Sequence, residues 1–88
     1  MARRVVFEPE AWQEFEAWGK EDAKIQERIY ELIREIQRQP FKGLGKPEPL
    51  KHDMQGYWSR RIDKTNRLVY EVVDDSINIV SCMYHYNK

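Results

Sequence analysis

Residues 57–86 read YWSRRIDKTNRLVYEVVDDSINIVSCMYHY. Three runs rich in aromatic and β-branched residues, Tyr57 to Ile62, Arg67 to Val73 and Ile77 to Tyr86, are separated by Asp63-Lys64-Thr65-Asn66 and Asp74-Asp75-Ser76, both of hairpin length. An antiparallel meander is predicted. Alternate side chains of a strand point to opposite faces, so Leu68, Tyr70 and Val72 form an apolar set opposed by Arg67 and Glu71. Trp58 and Ile62 join the apolar set, and Ser59 and Arg61 oppose it. Arg60 shares the parity of Trp58 and is expected where the strand leaves the core. In the last strand Val80, Cys82 and Tyr84 have one parity and Ser81, Met83 and His85 the other. With the first set inward, Arg61, Arg67 and His85 converge on the open face. Ile77 and Ile79 fit the opposite assignment, so both remain open.

Upstream, Arg3 to Phe7 is short, β-branched and aromatic, which suits a first strand. Glu8-Pro9-Glu10 reads as a helix start, with proline at the first position and acids in the first turn. Ala11, Trp12, Phe15 and Trp18 recur on one face until Gly19 interrupts them. A second helix opens with Asp22 as N-cap, carries the stripe Ile25, Ile29, Leu32, Ile33, Ile36, and ends before Pro40. Phe41 to Gly56, with Gly43, Gly45, Pro47, Pro49 and Gly56, reads as an ordered loop. The order strand, two helices, three strands predicts an α+β domain: a four-stranded antiparallel sheet with two N-terminal helices on one face.

With 88 residues, the chain is expected to form a single domain over 1–88, and three Trp, five Tyr and three Phe supply large core side chains. One cysteine, Cys82, excludes an intramolecular disulfide and a thiolate zinc cage and suits a reducing compartment. No apolar run approaches the roughly 20 residues of a membrane helix, and no signal-type block follows Met1, so a cytoplasmic protein is expected. Lys plus Arg number 15 against 15 Asp plus Glu. The zero conceals a segregation. Glu8 to Glu35 holds nine acids and four bases, whereas Lys42 to Arg67 holds seven bases and three acids, so a dipolar domain with one basic surface, and with it a nucleic-acid partner, remains open.

Motifs with other chemistry fall away. Gly43-Leu44-Gly45-Lys46-Pro47 lacks the helix start and the hydroxyl of a phosphate-binding loop, and two histidines without ligand spacing make no metal pattern. Cys82 reads as a small core residue and His52 as an exposed loop side chain. What remains is Glu48 in a proline-framed loop, Lys51 near it, Arg61 and Arg67 on strands, and His85-Tyr86. This set suits metal-free RNA cleavage, in which a base takes the 2′-hydroxyl proton, an acid protonates the leaving 5′-oxygen and cations stabilise the phosphorane. Pro47 and Pro49 would hold the Glu48 carboxylate in place.

The blocks Lys46-Pro47-Glu48-Pro49-Leu50-Lys51-His52, Gly56-Tyr57-Trp58-Ser59-Arg60-Arg61-Ile62, Asn66-Arg67-Leu68-Val69-Tyr70 and Tyr84-His85-Tyr86 resemble the Txe/YoeB toxins of bacterial toxin–antitoxin systems. The resemblance covers nearly the whole chain. It implies a RelE-like, microbial-ribonuclease-like fold and a ribosome-dependent endonuclease that cuts mRNA in the A site of the 70S ribosome, with no cofactor. By motif position it implies Glu48 as general base, His85 as general acid and Arg67 as the phosphate stabiliser, with Tyr86 completing the catalytic set. Lys51, Arg61, Lys46 and Arg60 would bind substrate. It further implies a YefM-type antitoxin with an acidic C-terminal segment, a toxin homodimer, and operator DNA bound only through the toxin–antitoxin complex. Asn87-Lys88 departs from the family pattern and moves the terminal carboxylate away from Tyr86. The alternative is a non-catalytic module that binds RNA or the ribosome through the same basic surface; it would have no use for Glu48 beside phosphate.

Overall fold

A computed structural model describes residues 2–83. The expectations for Tyr84, His85 and Tyr86 lie outside the described residues. Strand β1 (Arg4–Phe7) leads into helix α1 (Pro9–Glu21), then α2 (Ala23–Arg38), a loop, β2 (Glu48–Pro49), a 3₁₀ turn at His52–Met54, β3 (Tyr57–Arg61), β4 (Arg67–Val73) and β5 (Ser76–Ser81).

Both helices form where periodicity placed them. Pro9 opens α1, where a missing N–H costs nothing. Asp22 closes one helix and opens the next: its N–H donates to Trp18 O at 2.8 Å and its carboxylate accepts from Lys24 N at 3.2 Å. Gly19 does not interrupt α1, which runs on to Glu21. A Cβ there would lie 2.6 Å from Gln26 Nε2, so glycine leaves room for that side-chain amide, which donates to Phe15 O at 2.9 Å.

The sheet corrects the sequence reading. It has five strands in the order β1-β5-β4-β3-β2, and β1 runs parallel to β5 while the other neighbours are antiparallel. The fifth strand is the Glu48–Pro49 pair inside the expected loop. Prolines cannot donate to a ladder, which is tolerated here because β2 is an edge.

Ala11, Trp18, Ile29, Leu32, Ile33 and Ile36 from the helices pack on Ile62, Leu68, Tyr70, Ile77, Ile79 and Cys82. The two open assignments of the last strand are each correct over part of it. Tyr70 pairs with Ile79 but Val69 pairs with Ser81, so Val80 is an extra, bulged residue. The bulge switches parity, and Ile77, Ile79 and Cys82 are all buried while Val80 is half-buried.

Candidate functional site

The helices cover one face of the sheet. The register places Glu48 opposite Ser59, Ser59 opposite Val69 and Arg61 opposite Arg67, so Glu48, Arg61 and Arg67 project from the other face. Arg61 lies two residues beyond Ser59 and is therefore a diagonal neighbour of Glu48, at about 7–8 Å between backbones. The Ile62 N–H donates to Asn66 O at 3.0 Å, which makes that a hydrogen-bonded pair. Arg61 and Arg67 consequently occupy the adjacent non-hydrogen-bonded position, where side chains come closest. Like charges placed directly opposite each other are destabilising. Among the described residues neither arginine makes an ion pair, the one such contact being Arg38 with Glu35.

Arg67 is pre-positioned by the β3–β4 turn. Asp63 Oδ1 accepts from Thr65 N at 2.8 Å and Asn66 N at 2.7 Å, an arrangement that closes the turn. Burial alone would raise the Asp63 carboxyl, but the Asn66 and Thr65 N–H groups, the Asn66 amide and the Arg67 charge hold it below the usual carboxylate value. Arg67 Nη1 in turn donates to Asp63 O and Asn66 O, each at 3.2 Å, leaving the half-buried guanidinium anchored at one end. Asp63 was not among the expected site residues; its signal was the turn chemistry of Asp63 to Asn66.

Glu48 is exposed, and β2 offers it a short backbone anchorage, completed by Leu50 N–H to Tyr57 O at 2.9 Å. Lys46, also exposed, precedes it in the left-handed region at φ 53°. Lys51 is exposed at the start of the 3₁₀ turn, at the end of the β2–β3 hairpin remote from the arginine pair, so the register does not bring it to Arg61 and Arg67. His85 and Tyr86 fall outside the described residues.

Arg60, expected to bind substrate, requires correction. Opposite Leu68 and next to Trp58, it points to the helix side and is 0% exposed. Its Nη1 donates to Leu44 O at 3.0 Å, Nη2 to Gln39 O at 2.5 Å and Lys42 O at 3.0 Å, and Nε to Tyr70 Oη at 3.1 Å. A guanidinium buried and engaged in this way is not offered to a substrate. Its shared parity with Trp58 had marked the inward direction.

Cys82 is buried as expected. Its N–H donates to Glu14 Oε1 at 2.8 Å, its carbonyl accepts from Trp18 Nε1 at 2.9 Å, and burial followed by the Glu14 charge pushes the thiol up to about 12. Among the described residues no cluster of three or more His, Cys, Asp or Glu could hold a metal, and no helix is long and apolar enough to cross a membrane.

A family described as the YoeB-like toxin of bacterial type II toxin–antitoxin systems matches residues 7–86. The chain belongs to this YoeB family. The YoeB toxin of Streptomyces coelicolor is 53% identical over 83 residues, covering 94% of this chain and 99% of the relative. Among solved structures, the YoeB/ParE toxin from Agrobacterium tumefaciens superposes with a TM-score of 0.92 at 46% identity over 94% of this chain and 99% of that one. The toxin in a heterotetrameric YoeB–YefM complex from Staphylococcus aureus gives a TM-score of 0.88 at 41% identity over 98% and 100% of the two chains. Membership in the YoeB family makes the chain a toxin of a type II toxin–antitoxin system. The two helices with an α+β sheet are those of its YoeB-like structural neighbours.

Proposed function

We propose that the chain is a ribosome-dependent mRNA endoribonuclease that cuts in the A site and so halts translation. The observation that carries this reading is the register that sets Glu48 diagonal to Arg61, and Arg61 opposite Arg67, on one face of the sheet. Two arginines held face to face, neither in an ion pair among the described residues, repel each other in the free protein and are both served by an anion lying between them. A carboxylate beside them serves a base and hinders a mere phosphate binder.

In this reading Glu48 takes the proton of the 2′-hydroxyl, whose oxygen then attacks the adjacent phosphorus. The bond from phosphorus to the 5′-oxygen breaks, and His85 supplies the proton that the leaving oxygen needs. Arg67, anchored by the turn carbonyls, stabilises the extra charge on the phosphorane, and Arg61 shares it. Tyr86 supports the same centre, while Lys46 and Lys51 contribute charge along the RNA path. DNA, which lacks the 2′-hydroxyl, is not cut. No step calls for a metal ion.

The Staphylococcus aureus relatives were solved as a YoeB dimer and as a YoeB–YefM heterotetramer. By analogy this chain acts in the cytoplasm, pairs with itself, and is silenced by a YefM-type antitoxin whose acidic segment covers the basic face. Operator DNA is bound by that complex and not by the toxin alone. The test is incubation of a defined mRNA with the protein, with and without ribosomes and with and without a chelator. Cleavage only on ribosomes and indifferent to the chelator is expected. Cleavage abolished by the chelator overturns the metal-free mechanism, and ribosome binding without any cleavage favours the binding-module reading.

A further inference from the structure

Glu48 has an unusual anchorage for a residue asked to act as a base. Its strand, Glu48–Pro49, is two residues long and lies at the edge of the sheet, and the prolines on either side of Glu48, Pro47 and Pro49, have no N–H to donate. Its exposed side chain makes no hydrogen bond or ion pair among the described residues. The ladder holds the Glu48 backbone opposite Ser59, with Leu50 N–H to Tyr57 O beyond it, and the chain that enters this short strand is held by the connection that precedes it.

That connection is tied down from beneath by one buried pair. Arg60 reaches the carbonyls of Gln39, Lys42 and Leu44, and Tyr70 Oη, which accepts from Arg60 Nε, donates to Pro40 O at 2.6 Å. The next carbonyl, of Gly45, accepts from Arg61 N at 2.7 Å. Gly45 sits at φ 83° where a Cβ would press Leu32 Cδ2 at 2.9 Å and Arg60 Cβ at 3.2 Å, so the loop lies directly on the arginine. The side chains making these bonds are the sheet neighbours of the site: Arg60 lies between Ser59, opposite Glu48, and Arg61. The guanidinium has no carboxylate partner among the described residues; it faces carbonyl dipoles, including that of Gln39 at the negative end of α2. A buried charge compensated by carbonyls is an expensive way to gain stability alone. It suits a demand for fixed geometry, because only a planar fork of five donors meets acceptors in several directions.

We propose that Arg60 and Tyr70 are positioning residues for Glu48, locking the 39–45 loop so that the β2 carboxylate meets the 2′-hydroxyl beside the Arg61–Arg67 pair. This rests on the ribonuclease reading given above. Tyr70→Phe keeps the ring in the core and removes the oxygen that joins Arg60 to Pro40; Arg60→Lys keeps the charge and removes the fork. Each variant is measured well below its melting temperature for kcat and KM on programmed ribosomes, alone and combined with Glu48→Gln, together with amide exchange over residues 45–50.

The expected result is at least a tenfold fall in kcat with KM unchanged, faster exchange over 45–50, and no further loss when either change is added to Glu48→Gln. Loss of stability alone would leave kcat at the wild-type value below the melting temperature. Wild-type kcat in folded Tyr70→Phe and Arg60→Lys proteins, or losses that multiply with that of Glu48→Gln, would overturn the proposal. A wild-type chain that does not cleave removes the ribonuclease reading and this role with it, whereas a cleaving wild type with equally active variants removes only this role.

Discussion

Two adjacent arginines on β3 meet opposite fates because the strand alternates. Arg60 enters the helix-covered face, where it is enclosed and hydrogen-bonded to three carbonyls and a phenol oxygen; Arg61 emerges on the other face, opposite Arg67 and diagonal to Glu48. One face spends its charge on holding the backbone. The other sets Arg61 against Arg67, with no ion pair to either among the described residues. Residue type thus says little about a basic residue's task until the face is known, since a guanidinium whose donors are used up is a structural cross-link and one with donors to spare can receive an anion.

The largest expected effect belongs to the proposed proton-transfer residues. Glu48→Ala should lower cleavage on programmed ribosomes by about 10²–10⁴-fold while ribosome association persists, and His85→Ala should act comparably. Full cleavage by both variants would remove the proton-transfer roles proposed for Glu48 and His85. On the covered face, Leu68 is fully buried between the helices and the sheet, and Leu68→Ala should cost about 2–5 kcal/mol in denaturant unfolding. A cost below that of a surface substitution would mean that the helix face is not the folding core.

The buried thiol gives a pH test of the same face. Its folded value, pushed up to about 12, exceeds its ordinary 9.0, so the folded state retains a proton that the unfolded state releases. The contribution is fully present below pH 9 and is lost as pH rises from about 9 towards about 12, with Tyr70, raised by burial against the opposing influence of Arg60, acting in the same direction. Stability should therefore decline across that alkaline window, less steeply in Cys82→Ala, and alkylation of Cys82 should track unfolding. Equal decline in wild type and Cys82→Ala, or rapid alkylation of the native protein, would count against the burial. The smallest effect concerns Arg61. Arg61→Ala should impair cleavage yet raise stability by roughly 0.2–1 kcal/mol, because it relieves the like-charge pair with Arg67. If it destabilises the fold, the two arginines are not opposed in the way the register implies.

The candidate residues Glu48, Arg61 and Arg67 were legible in the chain because their types and spacing belong together chemically, and alternation already set Arg61 and Arg67 on one side. Arg60 shares the inward parity of Trp58, but composition does not reveal that carbonyls of the 39–44 loop surround it and use up the donors a substrate would need. Lys51 lies close to Glu48 in sequence but at the other end of the hairpin from the arginine pair, a separation that numbering alone hides.

The two amphipathic helices, the Asp22 cap, the meander after Tyr57 and the family are legible in the chain alone, since periodicity, capping and turn chemistry act over a few residues and the motif blocks are contiguous. Tertiary structure alone decided the rest. The parallel pairing of β1 with β5, the recruitment of Glu48–Pro49 as an edge strand and the bulge at Val80 each depend on a partner strand distant in the chain. A hydrogen-bond ladder is a property of two segments, and neither segment carries its register alone. For the same reason the division of labour between Arg60 and Arg61 exists only once the sheet has formed and the helices have covered one of its faces.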